Sequence, residues 1–212
     1  MTPIQQLMLG VGAKKKTYLD DVFNTYVYTG TGSARTINTG IDLSGEGGML
    51  WHKRRNSTSN HFICDSERGA VQSLYPNHNY AQGNPGQRVT AFTSTGYTVG
   101  TDAEVNGSSD EIASWTFRKA PGFCDVVSYT GNGNSNRQIS HNLGSIPGLI
   151  LIKDITSAND WRVFHRSLNG EDNPAQKYLA LNTNAAEDWG SNIFANTDPT
   201  ASVFSVGDNS YV

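Results

Sequence analysis

Apolar residues in this chain fall in short stretches, and where they alternate with polar ones the period is two, the signature of half-buried strands. Tyr26 and Tyr28 alternate with Thr25 and Thr29 and lead into a glycine turn. Ile37, Ile41 and Leu43 suit strand edges. Met49-Leu50-Trp51 reads as a buried strand, Asn56 to Asn60 as a turn, and Phe62-Ile63-Cys64 as the returning arm of a hairpin. A long polar excursion comes next, through Tyr75-Pro76-Asn77 and Gly83-Asn84-Pro85-Gly86. Val89, Ala91, Phe92, Tyr97 and Val99 then restore strand character, and Ile112 to Phe117 alternates cleanly as a closing strand. Further on, Leu149 to Lys153 and Trp161 to Phe164 predict a second hairpin with Ser157 to Asp160 at its tip. Tyr178 to Leu181 predicts a strand, Asn182 to Asn192 a loop, and Val203 to Val206 another strand.

The second half of that pattern echoes the first. Tyr28-Thr29-Gly30-Thr31-Gly32 returns as Tyr129-Thr130-Gly131-Asn132-Gly133, and Ile37 and Ile41 return as Ile139 and Leu143. Gly48 to Lys53 answers Gly148 to Lys153, His61 to Cys64 answers Trp161 to Phe164, and Tyr97 to Gly100 answers Phe204 to Gly207. Matches in one order with small drifts in spacing imply two copies of a unit of roughly a hundred residues. The fold expected is therefore all-β, with two tandem β-sandwich-like repeats preceded by a short N-terminal helix and tether. Residues 24–120 form the first repeat and residues 121–212 the second, with Pro121-Gly122 at the joint. Aligning Tyr97 with Phe204 puts Val212 level with Val105, so the second copy lacks a counterpart of Ile112 to Phe117. A sandwich short of that strand has an open apolar edge. The strand is accordingly expected from a longer polypeptide or from another chain.

Residues 1–23 differ from the rest of the chain. Thr2 caps, Pro3 suits the first helical position, and Ile4, Leu7, Met8 and Leu9 give an apolar segment that Gly10 ends. So short a helix is unstable alone and must dock. With the basic tether Lys14-Lys15-Lys16 behind it, the segment reads as an anchor peptide for a groove on a partner.

Composition narrows the function. Charged residues make up 17%, against about a quarter in ordinary domains, and the net charge is −3. Lys and Arg are scattered, which argues against a nucleic-acid partner. The longest apolar run, Leu149 to Ile152, is too short to span a membrane, and the N-terminus lacks the apolar core of a secretory signal. Cys64 and Cys124, the only cysteines, are expected as reduced thiols in a chain folded in a cytoplasm.

Candidate chemistry is sparse. Asp65 and Glu67, two apart, are a pair of carboxylates of the kind a glycosidase uses, though Arg68 beside them suits exposed charges as well. The five histidines show no metal-ligand spacing, Gly30-Thr31-Gly32 lacks the third glycine of a dinucleotide fingerprint, and no Gly-x-Ser-x-Gly elbow occurs. No cofactor, metal site or catalytic residue is therefore expected, and the chain reads as a non-enzyme. Tyr75, Tyr80 and Trp189 are loop aromatics able to stack on sugar rings, which makes them the candidate glycan contacts.

The segments Met1 to Gly10, Lys14 to Phe23, Gly40 to Gly48, Ala113 to Phe123 and His165 to Leu168 carry a wider likeness. They resemble the virion structural proteins, often labelled tail-fibre-like, of tailed phages of marine cyanobacteria and related bacteria. The likeness covers essentially the whole chain; Cys124 stands where an aromatic is usual. It implies a tail or tail-fibre component attached to the particle through its N-terminal segment and assembled in the host cytoplasm. It also implies other tail proteins as partners and, by family analogy, a homotrimer. A host-surface glycan-binding module is the alternative, with a polysaccharide depolymerase behind it.

Overall fold

The computed structural model describes residues 16–190 and 192–212. The predicted helix, with its anchor residues Ile4, Leu7, Met8 and Leu9, lies outside the described residues. What is described is all-β: antiparallel sheets, a few single helical turns, and no closed barrel.

One helical turn, α1 (Leu19–Val22), buries Val22 and leads into β1 (Phe23–Thr29). The first unit packs two sheets. One is five-stranded, ordered β1, β8 (Glu111–Arg118), β3 (Gly48–Arg54), β4 (His61–Asp65), β5 (Gly69–Leu74). The other is three-stranded, with β7 (Gly96–Val99) between β2 (Arg35–Asn38) and β6 (Val89–Thr93). Side chains alternate across each strand, so one face of the large sheet sends Leu50, Phe62 and Cys64 into a core shared with Ile37, Val89, Tyr97 and Val99. Val105, from the helical turn α2 (Ala103–Asn106), completes that core. β5 falls inside the stretch that reads as a polar excursion. Its Ala70 and Val71 are only half-buried, and it joins β4 across a register shift between Ile63 and Asp65. Such an edge strand leaves little apolar periodicity in the sequence.

The second unit is built from β9 (Arg137–Ser140) paired with β14 (Val203–Val206), and β10 (Leu149–Ile152) paired with β11 (Arg162–His165). Ile139, Phe204 and Val206 meet Ile152 and Phe164 in its core, with Phe194 edge-on to Phe164. The strand predicted over Tyr178 to Leu181 shrinks to β12 (Lys177–Tyr178), followed by a bridge from Leu179 to Val163. β12 pairs with β13 (Asp188–Trp189), inside the stretch expected to be loop.

The duplication holds at the level of individual hydrogen bonds. Arg35, Thr36, Ile37 and Asn38 face Val99, Thr98, Tyr97 and Gly96; Arg137, Gln138, Ile139 and Ser140 face Val206, Ser205, Phe204 and Val203. Arg35 donates to the Thr29 carbonyl while lying over the Tyr28 ring, and Arg137 does the same at Thr130 and Tyr129. Each hairpin turn is closed by a lysine: Lys53 donates to the Ser57 carbonyl at 2.8 Å and Lys153 to Ser157 at 3.0 Å. An asparagine side chain caps each returning arm, Asn77 accepting from His61 N–H and Asn182 from Trp161 N–H, both at 3.0 Å. The correspondence reaches the last residue. Val105 N–H donates to Asp102 at 3.3 Å, and Val212 N–H donates to Asn209 at 3.2 Å.

The units touch through the outer faces of their hairpin sheets. Ile63 and Leu74 from the first bury against Trp161 from the second, flanked by Met49, Trp51, Leu151 and Leu181. Trp161 Nε1–H donates to the Tyr75 carbonyl at 3.0 Å, and Gln82 N–H to the Ile155 carbonyl at 2.9 Å.

Candidate functional site

One feature that separates the two units among the described residues is an unpaired strand edge. In the first unit β3 lies between β4 and β8, Trp51 facing Trp115 and Met49 facing Phe117, and β8 in turn holds β1. In the second unit β10 pairs with β11 alone among the described residues. Arg166 N–H donates to the Gly148 carbonyl at 3.0 Å, as Ser66 does to Gly48. Backbone groups alternate along a strand, so Gly148, Ile150 and Ile152 address β11 while Leu149 and Leu151 present theirs to the open side.

Side-chain exposure shows the same contrast. Leu50 is fully buried and its counterpart Ile150 is not; Ile41 is fully buried and its counterpart Leu143 is half-buried. Leu149 is 56% exposed and Ile146 65%. The counterpart of β1, residues 124–130, forms no strand, because in the first unit β1 is held by β8 alone. Its anchors are a bridge between Ala120 and Cys124 and the Asp125 carboxylate, which accepts from Asn142 N–H at 2.7 Å. Among the described residues no strand therefore pairs with the outer edge of β10, where the first unit has β8; this open edge and the space beside Gly148 are together termed the open channel.

Of the residues singled out as glycan contacts, Tyr75 and Tyr80 meet edge-on with ring centroids 5.5 Å apart, and Trp189 is carried by the second unit. Tyr75 is half-buried, edge-on to Phe62 at 5.3 Å, with its carbonyl committed to Trp161. Tyr80 is 48% exposed and stacks on His78 at 4.6 Å. Trp189 is 64% exposed, carried on β13 in the second unit with the Lys177 ammonium 4.8 Å above its ring.

The carboxylate pair is divided. Asp65 is buried in an ion pair with Arg68 at 2.6 Å, whereas Glu67 reaches Lys119 at 2.7 Å. Among the described residues no three His, Cys, Asp or Glu side chains gather as metal ligands. Cys64 and Cys124 are free, and burial pushes their thiols up to about 12 and about 11. His52 is fully buried against Tyr97, and burial, helped by the Arg88 charge, pulls its imidazole down to about 3. A shallow cleft of about 300 Å³ lies at the joint, lined by Lys119, Cys124, Asp125 and Asn142.

A family model described as "Domain of unknown function (DUF7483)" matches residues 19–212. No curated protein and no solved structure matches the chain.

Proposed function

This chain belongs to the DUF7483 family; from its duplicated framework and its likeness to tailed-phage proteins we propose that it is a structural component of a phage virion. In this reading it is a tail or tail-fibre protein mounted on the particle through residues 1–23. The observation that carries the reading is the duplicated framework. Two sandwiches repeat the same strand registers, lysine-closed turns and asparagine caps, and they are joined by an apolar contact centred on Trp161. Serial β units with a packed junction suit a component that spans distance and bears load. The particle itself comes from the likeness of the N-terminal and Ala113-to-Phe123 segments to tailed-phage virion proteins. Other tail proteins are its partners, and the homotrimer is carried over from the same likeness.

Deleting Thr2 to Leu9 tests the mounting. Particles assembled with the truncated chain lack the protein while the purified chain keeps its melting temperature. Undiminished incorporation contradicts the anchor.

A second reading, a host-surface glycan-binding module, is favoured by one observation: Trp189 offers an exposed indole with a cation across it. Its check is a glycan array probed with the whole chain and with Trp189→Ala. Binding that the substitution abolishes supports it, and no binding at millimolar sugar removes it.

A further inference from the structure

We infer that the open channel of the second unit is a binding site for an extended polypeptide strand with the residue pattern of β8. This does not depend on whether the chain belongs to a virion; its basis is the internal comparison of the two units. The first unit shows what such a channel holds. There β8 fills the space between β3 and β1, turning Ile112, Ser114 and Thr116 into the interior, each with no exposed surface. It turns Ala113, Trp115 and Phe117 to the other face.

Matching strand registers and turn contacts, with insertions between them, run from Tyr28 and Tyr129 through Val105 and Val212. Beyond Val105, the first unit continues into a segment with no counterpart among residues 123–212. Asn106, fully buried, accepts from Thr31 N–H at 3.1 Å and donates to the Ser33 and Gly100 carbonyls at 2.7 and 2.8 Å. Gly107 then lies so close to Gly30 that a Cβ on Gly30 would stand 2.1 Å from the Gly107 carbonyl oxygen. At Gly131 the nearest atom to such a Cβ is 3.7 Å away, at Val212. The same holds at Gly48 and Gly148. A Cβ on Gly48 meets the Phe117 carbonyl at 2.1 Å, and one on Gly148 meets only the Arg166 side chain at 3.6 Å and beyond. Space, free backbone groups on Leu149 and Leu151, and uncovered apolar side chains thus coincide along one edge. Addition of a strand to such an edge gains its affinity from main-chain hydrogen bonds and its specificity from alternate side-chain pockets.

The occupant's chemistry can be read from the floor of the channel. His52 of the first unit is replaced by Ile152, so the inward position that Ser114 fills faces an apolar group and accepts an apolar residue. Outward, an aromatic in the place of Trp115 meets Leu151 as Trp115 meets Trp51. The β3 and β8 pairing sets an antiparallel direction.

The test uses the whole chain and a synthetic peptide of residues 106–118, with the same peptide carrying Ala113→Pro and Trp115→Pro as control. Those two positions face Lys53 and Trp51, and proline there removes the donors a ladder needs. The expected result is saturable binding, at least tenfold slower exchange of the Leu149 and Leu151 amides, and no effect of the proline peptide. Absence of protection at millimolar peptide overturns the inference. So does protection already present in the free chain through edge-to-edge pairing of two β10 strands in a dimer, which would make a second copy the occupant.

Discussion

His52 is the residue at which the copies differ most instructively. Its imidazole is buried with both ring nitrogens unpartnered, and Ile152 takes the equivalent place in the second unit. Burial holds its pKa at about 3, against 6.5 when exposed. Below the unfolded value the unfolded chain binds the extra proton, so stability falls as pH drops from 6.5 towards 3 and the loss is complete below that. His52→Ile removes this dependence. At pH 7 it leaves stability unchanged or slightly higher, because the unpaired nitrogens are gone. At pH 4.5 the variant exceeds the parent by on the order of 2 kcal/mol. Urea melts at the two pH values check this; parallel losses in both proteins contradict it. The asparagine caps give a second residue-scale prediction. Asn182→Ala leaves the part-buried Trp161 N–H without its acceptor and costs about 1–2 kcal/mol, whereas Asn77→Ala opens the exposed His61 N–H to water and costs less than about 1 kcal/mol. Urea melts of the two variants check this, and a larger cost at Asn77 contradicts it.

Among the elements, the prediction sits on two glycines. Gly48→Ala drives a Cβ against the β8 backbone and costs about 1–3 kcal/mol, whereas Gly148→Ala, facing the open channel, stays within about 0.5 kcal/mol. Thermal melts of the pair decide it, and equal costs contradict an empty channel. The strands that carry the cores were legible because alternation survives wherever one face is buried. Leu50, Ile37 and Tyr97 in the first unit, and Ile139, Ile152 and Phe204 in the second, mark their strands plainly. β5 was hidden because Ala70 and Val71 are half-covered on an edge with a shifted register. β13 was hidden because two exposed residues, Asp188 and Trp189, leave no period to read. The open edge was legible only through the repeat, since nothing local in Leu149 to Ile152 distinguishes a covered strand from an uncovered one. The glycan candidates show the converse. Loop composition pointed to Tyr75, and nothing in it foretold that Phe62 and Tyr80 meet its ring edge-on or that its carbonyl accepts from Trp161 at the junction.

At the scale of the whole molecule, Trp161 couples the two sandwiches. Trp161→Ala deletes both the apolar plug between Ile63 and Leu74 and the bond to Tyr75, at a cost of about 3–5 kcal/mol. Calorimetry of the parent gives one transition, and the variant resolves into two, the second unit melting first because β10 is paired on one side only among the described residues. A single transition at a lower temperature would mean that the units do not fold separately. One claim underlies all of these expectations: the same framework occurs twice among the described residues, with β8 beside β3 in the first unit and no strand beside β10 in the second. Amide hydrogen exchange on the isolated chain tests it most directly, by comparing Met49 and Trp51 with Leu149 and Leu151. The second pair is predicted to exchange at least about a hundredfold faster than the first; equal protection of the two pairs contradicts the claim.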